Sequence, residues 1–384
     1  MARSENHATE NSSAPRIATE SIATEKGITP GCGPIVLLGS GETAPGAQRI
    51  YHDLFVRMAA PIRFAVLETP AGFEPNSAQV AGAVTAYIEK RLQNFRPAVT
   101  VVPARKRGTA FSPDDAEILT PLYGANVLFM GPGSPTYAVR QLQHSRAWQL
   151  MQARHRLGAA LVFASAATLA LSRWTLPIYE IYKVGEDLHW KSGLDLFSAF
   201  GLPLTVVPHW NNTDGGAGLD TSRCYMGAER FTALRALLPA EAVAMPILGL
   251  DEQTALVIEP EQGICRVKGV GGVTLLAGEQ ERRWSSGAEF ALTELGAFHL
   301  PPAGAGLSPA IWADALQGHA AVTAEALSRP TPDVTVLALV QARAVARAAR
   351  EWSTADSIRR QLEALGWQVN DTPAGATLDW LGRQ

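Results

Sequence analysis

From Pro34 onward, short and almost wholly apolar runs alternate with longer stretches in which apolar residues recur every three or four positions. The runs Ile35–Leu38, Ile62–Leu67, Ala98–Val102, Val127–Met130, Ala160–Phe163 and Leu204–Val207 predict strands. The stretches Ala78–Gln93, Pro113–Tyr123 and Pro135–Arg156 predict helices between several of them. This alternation predicts a doubly wound α/β fold, with a mostly parallel sheet and helices on both faces. Later, Ala255–Glu259, Ile264–Val267 and Val273–Leu276 are short and separated by turn residues, which predicts antiparallel hairpin strands at a sheet edge.

The same pattern divides the chain. Residues 1–31 are polar, repeat Ala-Thr-Glu three times and hold few large apolar side chains, so a disordered tail is expected there. Residues 32–300 form the main domain, and 301–333 a Pro/Gly-rich linker with a helix at Ala310–Leu327. Residues 334–384 predict a small helical module, with helices at Val334–Arg350 and Thr354–Leu365, a strand-like Trp367–Val369 and a turn at Thr372–Gly375.

Composition narrows the function classes. The chain has 384 residues and a formal net charge of −3, which implies no general attraction to nucleic acid or anionic membrane. No apolar run is long enough to span a bilayer, and the N-terminus lacks the basic-then-apolar layout of a secretory signal. Cytoplasmic residence is the expectation. Cys32, Cys224 and Cys265 are scattered without metal-ligand spacing, so no metal site is expected.

The chemistry concentrates at a few junctions. In Ala159–Leu171 a buried strand passes at once into a helix, with Ser165 at the turn. A hydroxyl there would stand out from the carboxyl end of a strand beside helix N–H groups, as in a nucleophile elbow, or it would only cap the helix. Val206–Trp210 ends another strand with His209, a candidate general base. Gly131–Pro135 and Gly39–Thr43 are glycine-bearing loops after strands; the first either brings backbone N–H groups near a ligand or is an ordinary Gly/Pro turn, and the second lacks the spacing and lysine of a phosphate loop. Leu248–Thr254 places Asp251 and Glu252 at a turn, and either could orient His209. Tyr179–Trp190, dense in aromatic and ionisable groups and including Glu186, is a candidate cleft wall.

With Gly39–Thr43, Gly131–Tyr137, Ala164–Ala166, Pro208–Trp210 and Gly249–Leu256 in this order, the core resembles the cyanophycinase and dipeptidase E family of serine peptidases, which have a class I glutamine-amidotransferase-like fold. The resemblance implies Ser165 as nucleophile, His209 as base and Glu252 as orienting acid. It implies the N–H groups of Gly133 and Ala166 as the oxyanion hole, and no metal or organic cofactor. The family elbow reads Gly-x-Ser-Ala-Gly, whereas Phe163 and Ala167 stand at the glycine positions here. Where cyanophycinases carry an arginine-rich segment, this chain has the Gly-rich Asn211–Asp220, so cyanophycin is a poor substrate candidate. Asn211, Asp214 and Arg223 are the substrate contacts this region offers.

Near the C-terminus, Arg343-Ala-Val-Ala-Arg347, Ala355-Asp-Ser-Ile-Arg359, Gly366 and Asp371-Thr-Pro-Ala-Gly375 resemble the C-terminal segment of cysteinyl-tRNA synthetases. Arg343, Arg347 and Arg350 share one helical face, either a solvated face or a weak tRNA contact. The resulting expectation is a serine hydrolase acting on a small peptide or isopeptide through an acyl-enzyme on Ser165. Two alternatives stand beside it: a catalytically silent binding protein, and a tRNA-associated adaptor. No membrane partner is expected, and a homo-oligomer is left open.

Overall fold

The computed structural model describes residues 31–327, 330–372 and 375–381. The tail expected over 1–31 lies, except for Gly31, outside the described residues, as does the centre of the turn expected at Thr372–Gly375.

In chain order the strands are β1 (Ile35–Leu38), β2 (Arg63–Leu67), β3 (Ala98–Val102), β4 (Val127–Met130) and β5 (Ala160–Ala164). A two-residue pair follows, β6 (Trp174–Thr175) with β7 (Lys191–Ser192), then β8 (Thr205–Val207), β9 (Ile247–Leu250) and β10 (Thr254–Glu259). Next come β11 (Ile264–Gly269), β12 (Gly272–Ala277), β13 (Gln280–Ser285) and β14 (Glu289–Ala291). The main sheet has eight strands in the order β14-β11-β10-β1-β5-β4-β2-β3. Its β1 to β5 portion is parallel, while β10, β11 and β14 extend it antiparallel beyond β1.

Alternation along the strands builds two cores. Ile35, Leu37, Leu161 and Phe163 face the helices Pro135–Leu142 and Arg146–Arg156; Val36, Leu38, Val162 and Ala164 face Ala47–Phe55 and Ser77–Arg91. Each such fully buried branched or aromatic side chain contributes roughly 1.5–3 kcal/mol. The doubly wound layout read from the pattern is the observed one.

Several local expectations change. The helix expected over Pro113–Tyr123 is confined to Thr120–Gly124. Ahead of it, Ser112 and Asp115 accept backbone N–H groups of Asp114, Glu117 and Ile118, and these side-chain bonds compete with helix formation. Pro135–Arg156 is two helices: His144 takes φ 63° and Ser145 caps the second by accepting the Trp148 N–H at 3.1 Å. Val273–Leu276 does not extend the main sheet. It lies in β12 of a separate four-stranded sheet, β13-β12-β9-β8. This second sheet also holds β8, so Ser165 and His209 follow strands of two different sheets and not one. The reason is pairing: β8 runs parallel to β9, and β9 is antiparallel to β12.

His155 lies at the inner end of the helix Arg146–Arg156, 1 % exposed, with Nδ1 3.3 Å from the Ala159 carbonyl. Burial pushes its pKa down to about 4. In the unfolded chain the imidazole binds a proton near pH 6.5, so between about 6.5 and 4 the unfolded state holds more protons than the native one. Stability should therefore fall as pH drops through that window. Urea melts at pH 7 and pH 4.5 should show the loss, and His155→Gln should flatten it.

The C-terminal segment adds a hairpin, β15 (Trp367–Thr372) with β16 (Gly375–Trp380), to the helices Val334–Ala348 and Trp352–Ala364. Val336, Ile358, Leu362, Trp367 and Val369 form its small core. Of the second strand the sequence reading had no sign. The shared arginine face is also altered. Arg343 is 6 % exposed and donates through both terminal nitrogens to Asp371 at 2.8 and 2.9 Å. Arg347 lies 3.5 Å from the same carboxylate and over the Trp352 ring. These cations are engaged within the segment and do not form an open basic stripe.

Candidate active site

Ser165 ends β5 with φ 53° and ψ −114°, a sparsely populated conformation costing roughly 1–3 kcal/mol. The turn forms without glycine on either side. Phe163 is fully buried, its ring edge-on to Trp148, and Ala167 is small enough to be buried at the start of the helix Ala166–Ala170. The large side chain thus packs into the core beneath the turn. Ser165 makes no capping hydrogen bond with its side chain. Its Oγ lies 2.9 Å from Nε2 of His209.

His209, just past β8, is held by its backbone. Its N–H donates to the Gly39 carbonyl at 3.2 Å, and its carbonyl accepts the Cys224 N–H at 3.1 Å. Nδ1 lies 2.9 Å from Oε1 of Glu252. With Nδ1 protonated towards this carboxylate, Nε2 is free to accept the serine proton. Gly39 is required here by close approach: a Cβ would stand 2.1 Å from the Asp251 carbonyl oxygen.

The two neighbouring acids separate cleanly. Asp251 is 1 % exposed, accepts the Gly272 N–H at 2.7 Å and pairs with Arg283. It tethers strands of the second sheet. Glu252, at the turn from β9 to β10, accepts from Asn212 Nδ2 at 2.9 Å as well as facing His209. The hydrogen bond to His209, reinforced by Asn212, holds its carboxyl below the usual range despite burial, so it is ionised at neutral pH. Glu252→Gln keeps the shape but removes the negative charge that stabilises the imidazolium, and its NH2 end can face Nδ1 and favour the wrong tautomer. We expect kcat to fall about 10³- to 10⁴-fold with little change in KM, read by hydrolysis assays on the purified variant.

Gly133 takes φ 142°, and a Cβ on it would lie 2.0 Å from the Pro70 carbonyl oxygen. That oxygen accepts the Ser134 N–H at 2.8 Å, pinning the loop. Among the described residues the N–H groups of Gly133 and Ala166 have no protein acceptor. Both residues line a cavity of about 280 Å³ with Ser165 and His209.

The other walls of this cavity include Tyr179, Tyr182, Lys183, Cys224 and Tyr225. Burial pushes the Cys224 thiol up to about 12, so it stays protonated and is a poor nucleophile. Tyr225 packs its ring 5.6 Å from that of His209 and bonds Asp214 through its hydroxyl at 3.2 Å. Burial, and then the nearby Asp214, raise its phenol pKa.

The expected cleft wall Tyr179–Trp190 contributes Tyr179, Tyr182 and Lys183 to this cavity, but not Glu186, and none of Asn211, Asp214 and Arg223 lines it. Asn211 accepts the Glu252 N–H at 2.8 Å and so shapes the acid turn. Asp214 binds Asn212 and Tyr225. Arg223 lies over the Trp210 ring at 4.0 Å, and Glu186 faces His189 at the surface. Each has a partner within the protein. Asn212 and Tyr225, which brace Glu252 and His209, were missed as individuals. The only signal was their place in the loop after His209.

Over 68 % of this chain and 97 % of that one, the protein is similar to the crystal structure of a peptidase from an acI-B1 Actinobacterium, with a TM-score of 0.54 and 20 % identity. The likeness is one of fold. A putative peptidase E protein from Listeria monocytogenes EGD-e aligns over 66 % of this chain and 98 % of that one, at 14 % identity and a TM-score of 0.40. Residues 330–377 match the cysteinyl-tRNA ligase anticodon binding domain. Over 47 residues, 12 % of this chain and 10 % of that one, the sequence is 51 % identical to the cysteine–tRNA ligase of Cutibacterium acnes. Over 39 residues, 10 % of this chain and 8 % of that one, it is 59 % identical to the enzyme of Caulobacter vibrioides. The chain spans about a tenth of the length of these curated relatives. The resemblance read from the C-terminal motifs is thus matched by these relatives, and the core shares its fold with a peptidase of known structure. Among the described residues no helix is long and apolar enough to cross a membrane.

Proposed function

We propose that the protein is a serine peptidase-like hydrolase that opens a small peptide or isopeptide through an acyl-enzyme on Ser165. The observation that carries this is the unbroken chain from Ser165 Oγ to His209 Nε2 and from His209 Nδ1 to Glu252 Oε1, each step 2.9 Å. In this reading Ser165 attacks the carbonyl carbon as its proton passes to Nε2. The oxyanion is met by the N–H groups of Gly133 and Ala166. Protonated His209, stabilised by Glu252, then gives the proton to the leaving amine, and water releases the acyl group by the same route. An alkyl fluorophosphonate should label the full-length protein once, on the peptide containing Ser165, as read by mass spectrometry. No labelling at Ser165 by a panel of small and extended probes would remove this proposal.

A second reading has its own observation, the match of residues 330–377 to an anticodon binding domain. It predicts that the intact protein binds tRNA at low ionic strength and loses it with added salt, as phosphate contacts release counterions. With Arg343 and Arg347 engaged by Asp371, the salt dependence should be shallow. Absence of binding in low salt would end this reading.

A further inference from the structure

On the reading of Ser165 as nucleophile, we infer that the acyl part of the substrate is a peptide arm of two or more residues with a large apolar or aromatic side chain. It would be held in a second cavity beside the Ser165 cavity. That second cavity has a volume of about 770 Å³, a size that takes a drug-sized ligand. It shares Tyr179 and Lys183 with the Ser165 cavity, and Ser134 and Thr136, which follow Gly133, also line it. His209, Cys224 and Tyr225 line only the smaller cavity.

Direction follows from the chemistry. The leaving amine takes its proton from His209 Nε2 and so departs on that side. The carbonyl oxygen faces Gly133 and Ala166. The remaining substituent of the carbonyl carbon, the acyl arm, is directed away from His209, towards the larger cavity that His209 does not line and that adjoins through Tyr179 and Lys183.

The wall chemistry sets the class. Phe73 and Val184 are 50 % and 73 % exposed although both line this cavity, and Phe73 lies 5.1 Å from Tyr137 ring to ring. Val139 and Tyr179 continue the apolar surface. The charged groups do not add up to a pocket of one sign. Glu180 is engaged by Thr136 and Lys191, Arg140 and Lys183 lie over the Tyr137 and Tyr179 rings at 5.1 and 4.9 Å, and Glu74 supplies a further carboxylate. Cations resting on aromatic faces alongside an acid suit a solvated peptide backbone, whereas Phe73 and Val184 offer apolar area that only a ligand side chain would cover. The selectivity assigned to this cavity is therefore for apolar bulk and arm length, not for charge.

Two linked measurements test this on the full-length protein. The first uses substrates with one scissile residue and one leaving group, and with acyl arms extended by nothing, by alanine or by phenylalanine. We expect kcat/KM to rise roughly tenfold or more with the phenylalanine arm and much less with alanine. Phe73→Ala and Val184→Ser should each remove most of that gain while leaving the unextended substrate unchanged. The second titrates the free acyl products against Ser165→Ala by calorimetry, where no turnover occurs. The phenylalanine product should bind more tightly than the alanine product, and adding Phe73→Ala should erase the difference. Equal kcat/KM across the three arms, or equal binding of the products, would overturn the assignment. Phe73-dependent binding without hydrolysis of any substrate would sustain the cavity's assignment and strike down the nucleophile instead.

Discussion

Ser165→Ala should lower hydrolysis by roughly 10⁴- to 10⁶-fold and abolish fluorophosphonate labelling, while the protein melts within about 4 °C of the parent. The activity loss is large because Cys224, the thiol lining the same cavity, is held protonated by burial and does not take over the role. The stability change is small because Ser165 Oγ makes one described side-chain bond, to His209, and none to the helix it precedes. Alanine enters the same φ 53° turn at about the cost serine already bears. His209→Ala should lose nearly as much. The double variant should lose no more than either single one, since the two act as a unit. Full turnover in either single variant, or additive losses in the double, would show that hydrolysis occurs elsewhere or by another route.

Gly133→Ala carries the second large expectation. The added methyl would stand 2.0 Å from the Pro70 carbonyl oxygen, a backbone atom that already accepts the Ser134 N–H, on a residue with φ 142°. Something must shift, and the Gly133 N–H cannot stay where it is. If that N–H meets the oxyanion, kcat should fall roughly 10²- to 10³-fold, the effect of one lost donor, with KM changing far less. Loss of stability would come with it. The comparison is therefore made well below the melting temperature, on protein whose circular dichroism matches the parent. A folded variant with near-normal kcat would exclude Gly133 from the oxyanion site.

The centre of the main sheet was legible because β1, β2, β4 and β5 are buried on both faces, and so read as continuous apolar runs between helical patterns. Ser165 was legible for a related reason: a small polar residue between two buried apolar segments stands out at a strand–helix junction. The position of Phe163 shows the limit of motif reading. By pattern it spoils the elbow, yet its ring lies in the core against Trp148, and the serine still takes a left-handed turn.

What the sequence by itself determined is local: the strand and helix periods, the junction at Ser165, the histidine after β8, and the presence of an acid pair at the turn into β10. The tertiary structure decided everything that depends on which groups meet across long stretches of chain. Asp251 and Glu252 are adjacent and chemically alike, but one is buried against Gly272 and Arg283 and the other reaches His209. His209 follows a strand of the second sheet because β8 pairs with β9, Thr205 opposite Ile247. Arg343 reads as an open cation until Asp371, 28 residues on, neutralises it. Asn211, Asp214, Arg223 and Glu186 looked available for substrate for the same reason. Periodicity reports which face of an element is buried, whereas hydrogen bonds and ion pairs report what lies opposite that face, and that is set only when the elements pack.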